Sequence, residues 1–188
     1  MTGSPLDLPT LHGPRLTLRE WRGSDVAAVQ EASRDSLIPK FTTVPTTDGE
    51  PEAVAFIARQ RGRMAAGEGY VFAIADAADE AVGHIGLFFA PGAGARASVG
   101  YWITSTHRRT GYAAEALGVL TEWALDRPDL DRLELYVEPW NTGSWRAAES
   151  AGYEREGLLR GWERIEGKPR DMFMYAQLTT AALARQAK

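Results

Sequence analysis

The stretch from Ala97 to Leu125 most narrowly limits what this chain can fold into. Residues 97–104 (ASVGYWIT) read as a strand, and the chain then runs through His107, Arg108, Arg109 and Thr110 to Gly111. Beyond the glycine, Ala113, Ala114, Leu117, Leu120, Thr121, Ala124 and Leu125 recur at spacings of three and four, with Glu115 and Glu122 off that stripe. A helix with one apolar face, entered from a strand, must lay that face on a sheet.

The rest of the chain supplies the sheet. Strand patterns are predicted at 15–20, 70–75, 81–89, 132–138, 158–165 and 172–178, and helices at 24–35, 51–66 and 142–150. The glycine-rich turn at 91–96 makes a hairpin of the strands on either side. The expectation is one α/β (α+β) domain over residues 1–188, with a central mixed, mostly antiparallel sheet of about seven strands flanked by about four helices. At 188 residues with 44% apolar and 24% charged content, one compact core is the ordinary outcome. Residues 1–13 and 181–188 are expected to be loosely held.

Composition removes several function classes. There is no cysteine, so disulfides, thiolate metal sites and a cysteine-linked acyl intermediate are excluded. No spaced ligand cluster suggests a metal. A net charge of −4 argues against nucleic acid as a partner. No apolar run approaches the roughly 18 residues of a membrane span, and the N-terminus lacks the pattern of a secretory signal, so a cytoplasmic protein without membrane contact is expected.

The helix start at Gly111 has the makings of an anion site. The first N–H groups of a helix lack internal partners and carry partial positive charge. Glycine there lets a ligand approach the backbone, Ala113 keeps the first turn open, and Arg108 and Arg109 add charge. Two rival phosphate motifs fail. No G-x-x-x-x-G-K-[ST] occurs, and the G-x-G-x-x-A at 92–97 precedes a strand instead of opening a helix.

In these residues the chain resembles the GNAT superfamily of acyl-CoA-dependent N-acyltransferases. Arg108-Arg-Thr-Gly111-Tyr-Ala113 matches the signature [RQ]-x-x-G-x-[GA], and residues 141–153, from Asn141 through Ser144 to Gly152-Tyr153, resemble the family's N-x-x-S…G-[FY] segment. Residues 100–103, 156–160 and Asp171…Tyr175 are similar to the RimJ/RimL-type branch, which includes ribosomal-protein N-terminal acetyltransferases. The resemblance implies splayed strands forming an acyl-CoA slot, with acetyl-CoA as acyl-donor cosubstrate and no metal. It implies that Arg108, Arg109, Thr110, Gly111, Tyr112, Ala113 and Ala114 hold the pyrophosphate, and that Trp102, Ile103, Thr104 and Asn141 meet the pantetheine arm. A homodimer is implied by family analogy alone.

Acyl transfer from a thioester to an amine requires a neutral amine, a polarised carbonyl and a proton for the departing thiolate. Without cysteine, direct attack in a ternary complex is the economical route. By resemblance, Ser144 would protonate the thiolate and also touch the cofactor, and Glu163 would act as general base. Helix capping by Asn141, a surface role for Ser144, and a purely acceptor-binding role for Glu163 remain open at this stage. The acceptor is a primary amine, on a small molecule or a protein N-terminus. A non-catalytic acyl-CoA sensor, or use of a larger donor such as succinyl-CoA, is the alternative.

Overall fold

The computed structural model describes residues 8–89, 92 and 94–186. The chain opens with two short strands, β1 (Leu11–His12) and β2 (Thr17–Arg19), and a 3-10 turn leads into the helices α1 (Val26–Arg34), α2 (Ile38–Phe41) and α3 (Glu50–Gly62). The strands β3 (Gly69–Ala75), β4 (Ala81–Phe89) and β5 (Arg96–Ile103) follow as an antiparallel meander. Helix α4 (Tyr112–Leu125) crosses to β6 (Arg132–Val137), and α5 (Thr142–Ser150) leads to the hairpin of β7 (Glu154–Ile165) and β8 (Lys168–Leu178). Helix α6 (Thr180–Gln186) ends the described chain.

One sheet of eight strands runs β1-β2-β3-β4-β5-β6-β8-β7, and every neighbouring pair is antiparallel except β5–β6. The mixed α/β domain expected from sequence is therefore present, with eight strands and six α-helices among the described residues. The additions are β1, α2 and α6, each too short to imprint a period on the sequence. At the ends expected to be loose, Leu11–His12 pairs with Thr17 and Leu18, and Thr180–Gln186 is helical. No helix among the described residues is long and apolar enough to cross a membrane.

Both faces of the sheet are covered, which explains the nearly continuous apolar run of β3. Phe72 and Ile74 join the core under α4 with Leu117, Leu120 and Leu133, whereas the alternate residues Val71 and Ala73 pack with Trp21, Val29 and Phe56 from the α1–α3 side. Each face thus has its own apolar cluster; the one on the α1–α3 side ends at β5, whereas the one under α4 continues onto β6 and β8 through Leu133, Leu135, Val137 and Tyr175.

Strand β5 keeps full register with β4 from Ala97 to Ile103, and β6 keeps full register with β8 from Arg132 to Val137. Between them, only Arg96, Ala97 and Ser98 pair with Arg132, Leu133 and Glu134. Beyond these three pairs the two parallel strands separate, and the facing backbone edges of 99–103 and 135–137 have no partner strand. Helices α4 and α5 begin beyond the carboxyl ends of these same strands, the position where ligands bind in open α/β sheets.

The second cluster is pinned by a buried ion pair. Arg19, at the end of β2, donates from Nη1 and Nη2 to Asp25 at 2.9 and 3.0 Å, and from Nε to Asp79 at 2.7 Å. Asp25 also accepts the Arg22 N–H at 2.7 Å. With both Arg19 and Asp25 buried, removing Asp25 strips the guanidinium of its one buried carboxylate and leaves it only the half-exposed Asp79. Asp25→Ala is therefore expected to lower unfolding stability by about 3–5 kcal/mol in urea titration.

Candidate active site

The cradle begins where β5 ends. The Thr104 hydroxyl donates to the Val82 carbonyl at 3.0 Å, and a single 3-10 turn over Ser105–His107 turns the chain. Arg109 and Gly111 then adopt left-handed backbone, with φ of 64° and 86°. Glycine suits this conformation, and a Cβ at position 111 would stand 3.2 Å from Arg15 Nη2. Gly111 has no side chain to cap α4, and although the Tyr112 N–H reaches the Thr110 hydroxyl at 3.5 Å, the next N–H groups of the first turn stay open for a ligand.

Arg15 buttresses this turn from β2's side. It donates to the Thr110 carbonyl at 2.9 Å, pairs through Nε with Glu115 at 2.8 Å, and lies over the Tyr112 ring at 5.2 Å. Sequence reasoning missed it, because its partners lie far along the chain.

The two arginines before Gly111 do different jobs. Arg108 pairs with Asp35 at 2.8 Å and donates from Nε to the Ile103 carbonyl at 3.2 Å, so its charge is already balanced. Arg109 is exposed and has no ion-pair partner among the described residues. Its charge is therefore not balanced by a carboxylate among the described residues. Burial opposes ionisation of Asp35, but the N–H groups of Ile38 and Leu37 and the Arg108 charge together hold its carboxyl below the usual range.

A cleft of about 670 Å³ opens above this turn. Its walls include Trp102, Ile103, Arg108, Arg109, Thr110, Gly111, Tyr112, Ala113, Ala114, Asn141 and Ser144. Thr104 stays outside it, with its hydroxyl turned to Val82 and His107. Asn141 caps α5 through Oδ1, which accepts the Ser144 N–H at 3.2 Å, and its side chain still faces the cleft. Capping and ligand contact are thus compatible in one residue.

A second cavity of about 400 Å³ lies across the split between β5 and β6. Tyr101, Trp102, Trp140, Asn141 and Ser144 line both spaces. The two therefore share a wall that includes Ser144. The Tyr101 hydroxyl stands 2.9 Å from Ser144 Oγ and 3.0 Å from the Ser144 carbonyl. Burial raises the Tyr101 phenol above its ordinary range, against the opposing hydrogen bond from Ser144, so it stays protonated.

Two carboxylates reach the second cavity. Glu163 lines it and is exposed. Glu138 lines it too but is buried, where it accepts from Trp140 Nε1 at 2.7 Å and lies 3.7 Å from Arg170. Glu138 was missed in the sequence, although a carboxylate closing a strand just before Asn141 is the available signal. The regular strand expected through 161–165 is broken by a bulge. Residues 160–162 lack the paired register, Gly161 has φ 60°, and its N–H donates to Asp171 Oδ1 at 2.8 Å. From Glu163 onward the pairing is regular, so Glu163 and Ile165 share a face.

His84 sits on β4 in the buried aromatic cluster, as a packed histidine should, and it also lines the second cavity. Among the described residues no three acidic or histidine side chains group as around a metal ion.

The fold and cradle have counterparts in known proteins. Residues 15–154 match the acetyltransferase (GNAT) domain family, and the chain belongs to it. It is an acetyltransferase of that class. It is 28% identical over 172 residues to the uncharacterized N-acetyltransferase p20 of Bacillus licheniformis, covering 91% of this chain and 97% of that one. In fold it is similar to a GNAT-family acetyltransferase from Bacillus anthracis, at 24% identity and a TM-score of 0.78 over 91% of this chain and 99% of the other. It is also similar in fold to Mycobacterium smegmatis RimJ, solved in complex with CoA-disulfide, at 22% identity and a TM-score of 0.74 over 96% and 95% of the two chains.

The Asp35–Arg108 pair ties α2 to the cradle and makes a pH prediction. Because the folded carboxyl titrates below its ordinary 3.8, its contribution is complete above the unfolded value and is lost as pH falls through the lower, folded one. Asp35→Asn is expected to destabilise the protein at neutral pH and to flatten the fall in stability below about pH 4, read by urea unfolding across pH.

Proposed function

We propose that this protein transfers an acetyl group from acetyl-CoA to a primary amine by direct attack within a ternary complex. The observation that carries this is the wall shared by the two cavities, with Ser144 in it, one cavity opening on a helix N-terminus and the other lined by two carboxylates. The open helix start, left-handed Gly111 and the free charge of Arg109 suit a pyrophosphate. The unpaired edge of β5 suits the amides of a pantetheine arm, with Asn141 alongside.

The chemistry then divides among this chain's side chains. The buried Glu138 carboxylate draws the acceptor's ammonium into the cavity, and Glu163, open to water, takes its proton directly or through a bridging water. The amine nitrogen bonds to the thioester carbonyl carbon and the carbon–sulfur bond breaks. Ser144 gives its hydroxyl proton to the departing sulfur, and Tyr101, which stays protonated 2.9 Å away, steadies the serine oxygen by hydrogen bonding until solvent returns the proton, while the proton taken by Glu163 passes to solvent. With no cysteine in the chain, no acylated cysteine intervenes.

Calorimetry tests the donor site first. The intact protein is expected to bind acetyl-CoA and Gly111→Trp to lose that binding, whereas no binding by the intact protein would overturn the proposal. Ser144→Ala is expected to lower kcat roughly a hundredfold or more with acetyl-CoA affinity kept. Glu163→Gln is expected to shift the pH–rate profile, and a raised acceptor KM with an unshifted profile would reassign it to binding.

A further inference from the structure

The cleft above Gly111 is lined by full charges of one sign. Arg108, Arg109 and Arg146 line it and, among the described residues, no aspartate or glutamate does, although the chain as a whole carries a net charge of −4. Asp35 balances Arg108. Arg109 stands beside the open start of α4, where the proposed function puts a pyrophosphate. Arg146 comes from a different element, α5, and its charge has no role in that scheme.

Arg146 is presented to solvent and uncommitted. It is exposed, and its guanidinium makes no ion pair or hydrogen bond with any described residue. It lies over the ring of its neighbour Trp145 at 5.4 Å, and Trp145 in turn packs on the core cluster under α4. This contact steadies the side chain without cancelling its charge. Glu149, the one carboxylate on α5, accepts from the Tyr175 hydroxyl at 3.0 Å instead of pairing with Arg146.

Position along α5 separates this charge from the reacting end. Asn141 and Ser144 line both cavities, whereas Arg146, Ala147 and Ser150 line the larger cleft alone. Ser150 lies four residues beyond Arg146 on the same helix face, and about 9 Å along the axis from Ser144. A ligand with its thioester beside Ser144 and its body in the cleft extends its remote end toward Arg146 and Ser150. The remote end of acetyl-CoA is an adenosine whose ribose carries a phosphate monoester, separate from the pyrophosphate. Such a group bears nearly two negative charges near neutral pH, and a guanidinium matches its oxygens with paired N–H donors.

We propose that Arg146 receives the ribose phosphate of the donor, so that this protein prefers acetyl-CoA to its 3′-dephospho form. The inference rests on the acetyl-CoA reading of this cleft. The Ser150 hydroxyl, without a partner among the described residues, adds a second donor at the same end.

Calorimetry compares acetyl-CoA with 3′-dephospho-acetyl-CoA. The intact protein is expected to bind acetyl-CoA about tenfold tighter. Arg146→Met should erase that margin by weakening acetyl-CoA alone, Arg146→Lys should restore part of it, and Arg109→Met should weaken both donors alike. Thermal midpoints are measured alongside, and Arg146→Gln repeats the test should the methionine variant fail to fold. Equal affinity of the intact protein for the two donors, or a margin that survives loss of the Arg146 charge, would overturn the inference. Equal weakening of both donors by Arg146→Met would overturn it too, by moving Arg146 to the pyrophosphate. Failure of the intact protein to bind either donor would instead overturn the acetyltransferase reading.

Discussion

Parallel strands that pair over three residues and then part leave backbone donors and acceptors facing one another across a gap, and everything distinctive in this structure follows from that gap between β5 and β6. Each strand can afford the separation because its other edge is fully paired, β5 with β4 and β6 with β8. The open edges would be a liability on a surface. Here they line two adjoining cavities, and in the proposed function an extended ligand supplies the missing pairing.

The gap also sets where charge belongs. Helix α4 starts beyond the end of β5 and offers open N–H groups after that of Tyr112, Arg109 contributes a full positive charge, and Arg108 is neutralised by Asp35. On the far side of the split lie Glu163, exposed, and Glu138, buried against Arg170. An anionic donor and a cationic acceptor are thereby drawn to opposite ends, with the Tyr101–Ser144 hydroxyl pair between them. Field and geometry agree on a single meeting point.

What the sequence made legible was local. The stripe from Ala113 to Leu125, the hairpin glycines and the strand-to-helix turn at Gly111 are set by residues within a few positions of one another, and the structure has all three. Features decided by distant partners were not legible. Nothing near Arg108 foretells Asp35, Tyr101 meets Ser144 from another element, and the burial of Glu138, Gln60 and His84 depends on the assembled cavity. The bulge at Gly161 lies between these cases, since an isolated glycine in a strand pattern is a known sign of one.

The most direct measurement of the central claim is a crystal structure of the protein with acetyl-CoA. Pyrophosphate is expected at the N–H groups following Gly111, the pantetheine arm along the unpaired edge of 99–103, and the thioester beside Ser144 in the wall the two cavities share. Density for the thioester outside the split, or β5 and β6 closed into continuous pairing with the ligand elsewhere, would contradict it.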